Sequence, residues 1–122
     1  VVVQEPANIL FLNVRRVLTL CSSACEFHSS LIRNLVAMLA AKNLRMNTKL
    51  QHVTQRSTRE KLLSFLSAES SRRGQASFDI PFNRQQLADY LSVDRSAMSS
   101  ELCKLRDEGV LTFERNHFEL HA

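Results

Sequence analysis

Hydrophobic and polar residues alternate in different rhythms along this chain. Residues 1–4 and 9–13 are short, largely apolar runs separated by the turn signal Glu5-Pro6-Ala7-Asn8. They predict two strands. Two strands alone are marginal in water, so they imply a sheet that is mostly absent from this sequence. Residues 14–20 predict a short helix, followed by a Ser/Cys-rich link at 21–25. From about residue 27 to residue 55 there is no Gly or Pro, and the rhythm becomes helical. Ile32, Val36, Leu39, Asn43, Met46, Leu50 and Val53 recur at spacings of 4-3-4-3-4-3, a heptad seam. Asn43 occupies an a-type position, where a buried Asn pairs with its symmetry mate and fixes the register of two parallel helices. The competing arrangement is a helix packed against its own domain. A second stripe, Leu31, Leu35 and Met38, gives the first half of the helix such a contact, whereas from Asn43 onward only the one seam remains.

The remaining pattern is more compact. Ser57-Thr58-Arg59-Glu60 is a capping box that opens a helix, with Leu62, Leu63, Phe65 and Leu66 as its buried face and Gly74 as its stop. Phe78-Asp79-Ile80-Pro81-Phe82 alternates as a short strand does. Asn83 is then a good N-cap, with Gln86 three residues on, for a helix over 84–91 that buries Leu87, Ala88 and Leu91. Ser92-Val93 makes a turn, and Asp94 caps a second helix running to about residue 108. Met98, Leu102 and Leu105 point inward from it, and Arg95, Ser96, Ser99, Ser100 and Lys104 point outward. Two short helices, a tight turn and a small residue, Ala88, at the crossing make a helix-turn-helix, and its second helix is the one suited to a major groove. After Gly109, residues 110–114 and 117–121 form a hairpin with Arg115-Asn116 at its tip, pairing Leu111 and Phe113 with Phe118 and Leu120. That hairpin is a wing.

Composition changes this picture little. A chain of 122 residues holds one ordinary domain, or a small domain with an appendage. It starts at Val1, and with an orphan strand in front it reads as a fragment of something longer. No apolar run approaches the roughly 20 residues that span a bilayer, and no signal peptide opens the chain. Three cysteines fit reduced thiols in the cytoplasm better than a disulfide framework. Cys21, Cys25 and His28 could align on a helix, but structural zinc needs four ligands, and small half-buried residues are the simpler reading; we assign no metal. The formal net charge is +4, yet residues 56–122 carry ten basic and ten acidic side chains. Bulk electrostatics therefore does not argue for DNA; the motif must.

The motif is specific. Phe82-Asn83-Arg84-Gln85-Gln86-Leu87-Ala88-Asp89-Tyr90-Leu91, then Val93-Asp94-Arg95-Ser96-Ala97-Met98-Ser99, then Leu105-Arg106-Asp107-Glu108-Gly109-Val110-Leu111 resembles the C-terminal domain of the CRP/FNR family of transcription regulators. The long helix resembles that family's dimerisation helix, and residues 1–13 resemble the last strands of its sensor β-roll. The resemblance implies a homodimer on a palindromic operator, switched by an effector held in the sensor domain, with double-stranded DNA and RNA polymerase as partners. It places Arg95 where the family reads guanine, Ser99 where some members contact a base or phosphate, and Arg84 where a phosphate is held. Ser96 stands where many members have a base-reading glutamate, and Ser100 where many have an arginine, so the usual half-site sequence does not carry over. Ser92 replaces the usual turn glycine.

The expectation is thus a mainly α protein. It comprises a short β remnant of a sensor β-roll and link (1–26), a long dimerisation helix (27–55) and a winged helix-turn-helix DNA-binding domain (56–122). Its DNA-binding residues are Asn83, Arg84, Arg95, Ser96, Ser99, Ser100 and Lys104, and the wing residues Arg115, Asn116 and His117 are further candidates for phosphate contact. It is a cytoplasmic regulator, not an enzyme, with no cofactor in this segment. The alternative is a winged-helix protein-interaction module without DNA binding, which the balanced charge of 56–122 keeps open. A redox enzyme built on Cys21 and Cys25 has no Cys-x-x-Cys, phosphate loop or triad to support it.

Overall fold

The computed structural model describes residues 6–19 and 25–121. Elements follow in the order α1 (Val14–Thr19), α2 (Glu26–Val53), α3 (Thr58–Arg73), β1 (Ser77–Asp79), α4 (Arg84–Leu91), α5 (Arg95–Asp107), β2 (Leu111–Glu114) and β3 (His117–Leu120). The chain divides into two compact units, one up to Asn43 and one from Leu44 on.

In the first unit, residues 6–13 form no regular element. The strand expected at 9–13 is therefore not present, and the one expected at 1–4 lies outside the described residues. Among the described residues no strand lies alongside 9–13: a strand satisfies its backbone only across a ladder, and Leu10 and Phe11 remain 80% and 90% exposed. The helix expected at 14–20 is present over Val14–Thr19, residue 20 lying outside the described residues. Asn13 caps it, its side-chain oxygen accepting from the Arg16 amide at 3.1 Å. The His28 ring meets the Val17 carbonyl, and the Cys25 sulfur accepts from the His28 amide at 3.4 Å. Cys21 lies outside the described residues. The second stripe expected to face its own domain is only partly covered: Leu35 is half-buried, but Leu31 and Met38 are exposed.

The second unit is built on capped ends. The Ser57 hydroxyl accepts from the Glu60 amide at 3.1 Å while the Glu60 carboxylate accepts from the Ser57 amide at 3.1 Å, which satisfies two donors that a helix start leaves open. Gly74 ends α3 in the left-handed region at φ 66°, where a Cβ would be strained. The sheet is three-stranded and antiparallel in the order β1-β3-β2. The wing register is as expected, Leu111 opposite Leu120 and Phe113 opposite Phe118. The sequence reading missed that β1 joins it, with Phe78 opposite Phe118. β1 also starts one residue earlier than the alternation implied and ends at Asp79, so residues 80–82 are not strand.

A single core closes the unit. Leu62, Leu66, Leu87, Leu91, Met98, Leu102, Leu105, Leu111 and Phe118 are fully buried, and Leu63 packs half-buried against them. The last turn of α2 contributes His52, the one buried polar side chain among the described residues. Its Nδ1 shares a hydrogen bond of 2.8 Å with the Ser64 hydroxyl, and its ring stands edge-on to Phe65 at 5.8 Å. Phe65, Phe82 and Tyr90 cluster beside it, Phe82 stacked on Tyr90 at 5.2 Å and Phe65 tilted to both, and the Lys49 ammonium lies 5.1 Å over the Tyr90 ring.

Candidate nucleic-acid interface

α4 and α5 meet across a tight turn. Asn83 and Gln86 form a reciprocal capping box, with both bonds at 2.9 Å. Ala88 is fully buried, so α5 can cross close to α4 without a side chain between them. Ser92 sits in the left-handed region at φ 53°, a conformation costing a non-glycine residue roughly 1 kcal/mol. Its amide and that of Val93 close the end of α4 onto Asp89 and Ala88 at 3.3 and 3.0 Å. Asp94 then starts α5, one carboxylate oxygen accepting from the Ser96 and Ala97 amides at 2.8 and 3.0 Å. The Ser96 hydroxyl and these two amides hold the Asp94 carboxyl below the usual carboxylate range.

The expected residues divide by what already occupies them. Arg95 and Ser100 are exposed, and among the described residues neither side chain has a hydrogen-bond or ion-pair partner. Ser96 is exposed, but its hydroxyl donates to Asp94. Ser99 is half-buried and donates to the Arg95 carbonyl at 2.9 Å. Lys104 is exposed and reaches Glu101 at 2.6 Å. Asn83 is spent on its cap. Arg84 is half-buried, its guanidinium 4.8 Å over the Phe113 ring and 5.0 Å over that of Phe118. That burial lowers its affinity for the proton, with Cys103 acting weakly the other way. Arg84 thus braces the wing against α4, a contact between residues about thirty positions apart that local patterning does not reveal.

Two further features escaped the sequence reading. An open cleft of about 520 Å³ lies between the start of α3 and the outer flank of α5, lined by Ser57, Thr58, Arg59, Ala97, Ser100, Glu101 and Lys104. Arg59 closes one end by pairing with Glu108, Nη1 donating to Oε1 at 2.9 Å and Nη2 to the second oxygen. This hydrogen bonding pulls the Glu108 carboxyl below its ordinary range. The capping box had located Ser57 and Glu60 but said nothing of what Arg59 would meet.

The second feature is the outer face of the wing sheet. His117 sits at its centre, Nδ1 3.0 Å from the Asp79 carboxylate and Nε2 2.9 Å from the Ser77 hydroxyl. In register beside them stand Glu114, Glu119 and Thr112, all exposed. Three carboxylates on one face repel phosphate, so His117 is poorly placed for the phosphate contact considered for it. Arg115, exposed at the tip with φ 51°, has the better charge and position.

The sequence from residue 60 to residue 122 matches the model of the Crp-like helix-turn-helix domain. No curated protein matches the chain.

Proposed function

The chain belongs to the Crp-like helix-turn-helix family, a family of DNA-binding regulators and not of enzymes, and from that premise we propose that it binds a palindromic operator as a homodimer. The observation that carries the reading is the outward flank of α5. Arg95 leads it, exposed and unpaired among the described residues, on a helix whose other flank, Met98, Leu102 and Leu105, is fully buried. A rigid helix with a free arginine in its first turn suits the major groove, where Arg meets guanine O6 and N7 with two hydrogen bonds. Arg84, Ser99, Ser100 and Lys104 would support it at the backbone or groove edge, with Ser96 and Asn83 holding the helix starts. The α3–α5 cleft adds Ser57 and Thr58 as candidate phosphate donors.

Dimerisation is the second half of the proposal. Val36, Leu39, Met46 and Leu50 are 53–64% exposed along α2, Asn43 is exposed among them, and Ile32 and Val53 are half-buried. Apolar side chains repeating every three or four residues are covered when a second helix lies alongside in parallel. Such a pair would serve half-sites about one duplex turn, roughly 34 Å, apart. The division into a remnant and link (1–26), a dimerisation helix (27–55) and a DNA-binding domain (56–122) belongs to the same proposal, as do RNA polymerase as a partner, a cytoplasmic setting and an effector bound outside this segment. Among the described residues no helix is long and apolar enough to cross a membrane.

Fluorescence anisotropy with duplexes tests the reading. Binding should weaken steeply with added salt, because phosphate contacts release counterions, and Arg95→Ala should lose discrimination between selected and scrambled sequence. Two observations favour a second reading, a protein-interaction module: the acidic outer face of the wing and the balanced charge of 56–122. Salt-insensitive or absent duplex binding would decide for it.

A further inference from the structure

The flank of α5 that would face bases is short of atoms able to read them. In its first two turns the exposed side chains are Arg95, Ser96, Ala97 and Ser100. Ala97 has no polar group. The Ser96 hydroxyl is spent on Asp94, and Ser99, half-buried, is spent on the Arg95 carbonyl. Asp94 could accept from cytosine, but it is committed to capping the helix through the Ser96 and Ala97 amides. Lys104, one turn further on, is drawn to Glu101. That leaves Arg95 and the Ser100 hydroxyl. A hydroxyl rotates to donate or accept and so pairs with any base, whereas a guanidinium fork selects the two acceptors of guanine.

We infer that this protein reads each operator half-site directly at a single base pair, a G·C met by Arg95, and takes the rest of its selectivity from the shape and deformability of the duplex. The inference rests on the proposed DNA-binding role of α5. One bidentate contact discriminates by about 5- to 150-fold. Positions facing Ser96, Ala97 and Ser100 contribute little, and bendable pyrimidine–purine steps or narrow A·T tracts outside the contacted pair carry the remainder.

The test is selection of duplexes from a random pool by the full chain, then titration of every single-pair substitution in the selected site. One G·C per half-site should weaken binding by about 5- to 150-fold when replaced, and the other pairs facing α5 by less than about threefold. Arg95→Lys keeps the charge but not the fork, so it should retain binding to bulk duplex and lose the guanine preference. Ser100→Arg should add a second specified guanine, because it restores a fork on the exposed flank. Three or more pairs per half-site that each matter tenfold, or a guanine preference that survives Arg95→Lys, would overturn the inference while leaving DNA binding intact. Enrichment of no duplex at all would overturn the DNA-binding reading and this inference with it.

Discussion

The unit from Leu44 on and the seam of α2 solve the burial of apolar side chains in opposite ways. In the first, residues from three helices and three strands converge, and Leu62, Leu87, Leu102 and Phe118 lose all or nearly all contact with water. In the second, side chains of the same chemistry stand on one helix, and Leu39 is 64% exposed. The difference is topological. A helix stripe can be covered only by something laid along it, whereas a helix-turn-helix folds its own cover over itself. The unit from Leu44 on therefore covers its own core, whereas under the proposed dimer the seam is covered by a second chain.

Truncation in the core is the strongest way to break that contrast. Leu102→Ala should destabilise the unit by about 2–5 kcal/mol, since it removes a fully packed side chain and leaves a cavity, and urea unfolding should show it at any protein concentration. Leu39→Ala should do the reverse. It should leave the unfolding of the DNA-binding unit nearly unchanged and weaken self-association by roughly 1.5–3 kcal/mol per chain, which sedimentation across a dilution series reads directly. Equal effects of Leu39→Ala on a dilute and a concentrated sample would mean that the seam is covered within one chain.

What the sequence made legible follows the same division. Both capping boxes, the Gly74 stop, the helix-turn-helix and the wing register rest on contacts within a few residues or on strict periodicity, and each is where the pattern placed it. The strand at 9–13 failed because an apolar run states a preference but supplies no partner. The features that went unseen join distant positions: Arg59 with Glu108, Arg84 with Phe113 and Phe118, β1 with β3, and His52 with Ser64. Nothing local marks such residues. Arg84 illustrates this, since its half-buried guanidinium packs over Phe113 and Phe118, a contact that its place at the start of α4 does not announce. Even so, the outward set on α5 was legible by position, though not which of its hydroxyls were already engaged.

A smaller change sharpens the contrast at the junction of α4 with its cap. Asn83→Ala removes the oxygen that accepts from the Gln86 amide at 2.9 Å, and it should cost about 1 kcal/mol. Asn83→Ser should recover most of it. Because this cap lies in the self-contained unit, the loss should appear equally in dilute and concentrated samples. A concentration-dependent loss would tie α4 to the dimer instead.

The smallest effect concerns His52, where the seam helix enters the core. Burial holds the imidazole's pKa below its ordinary 6.5, with the Glu69 carboxylate opposing weakly. Well above pH 6.5 the ring is neutral whether the chain is folded or not, and it contributes no pH dependence. As pH falls below 6.5 the unfolded chain takes up a proton that the folded chain refuses, so unfolding is favoured until the folded-state pKa is passed. The stability present at neutral pH should therefore decline through this window. His52→Gln, which keeps a polar group near Ser64 but does not titrate, should show a shallower decline between pH 7.5 and 5.5 in thermal denaturation. The comparison must be with the parent, because the chain carries three further histidines. A variant that follows the parent curve point for point would mean that the ring takes up its proton as freely in the folded chain as in the unfolded one. The end of α2 would then be less firmly seated in the core than its packing on Phe65 implies.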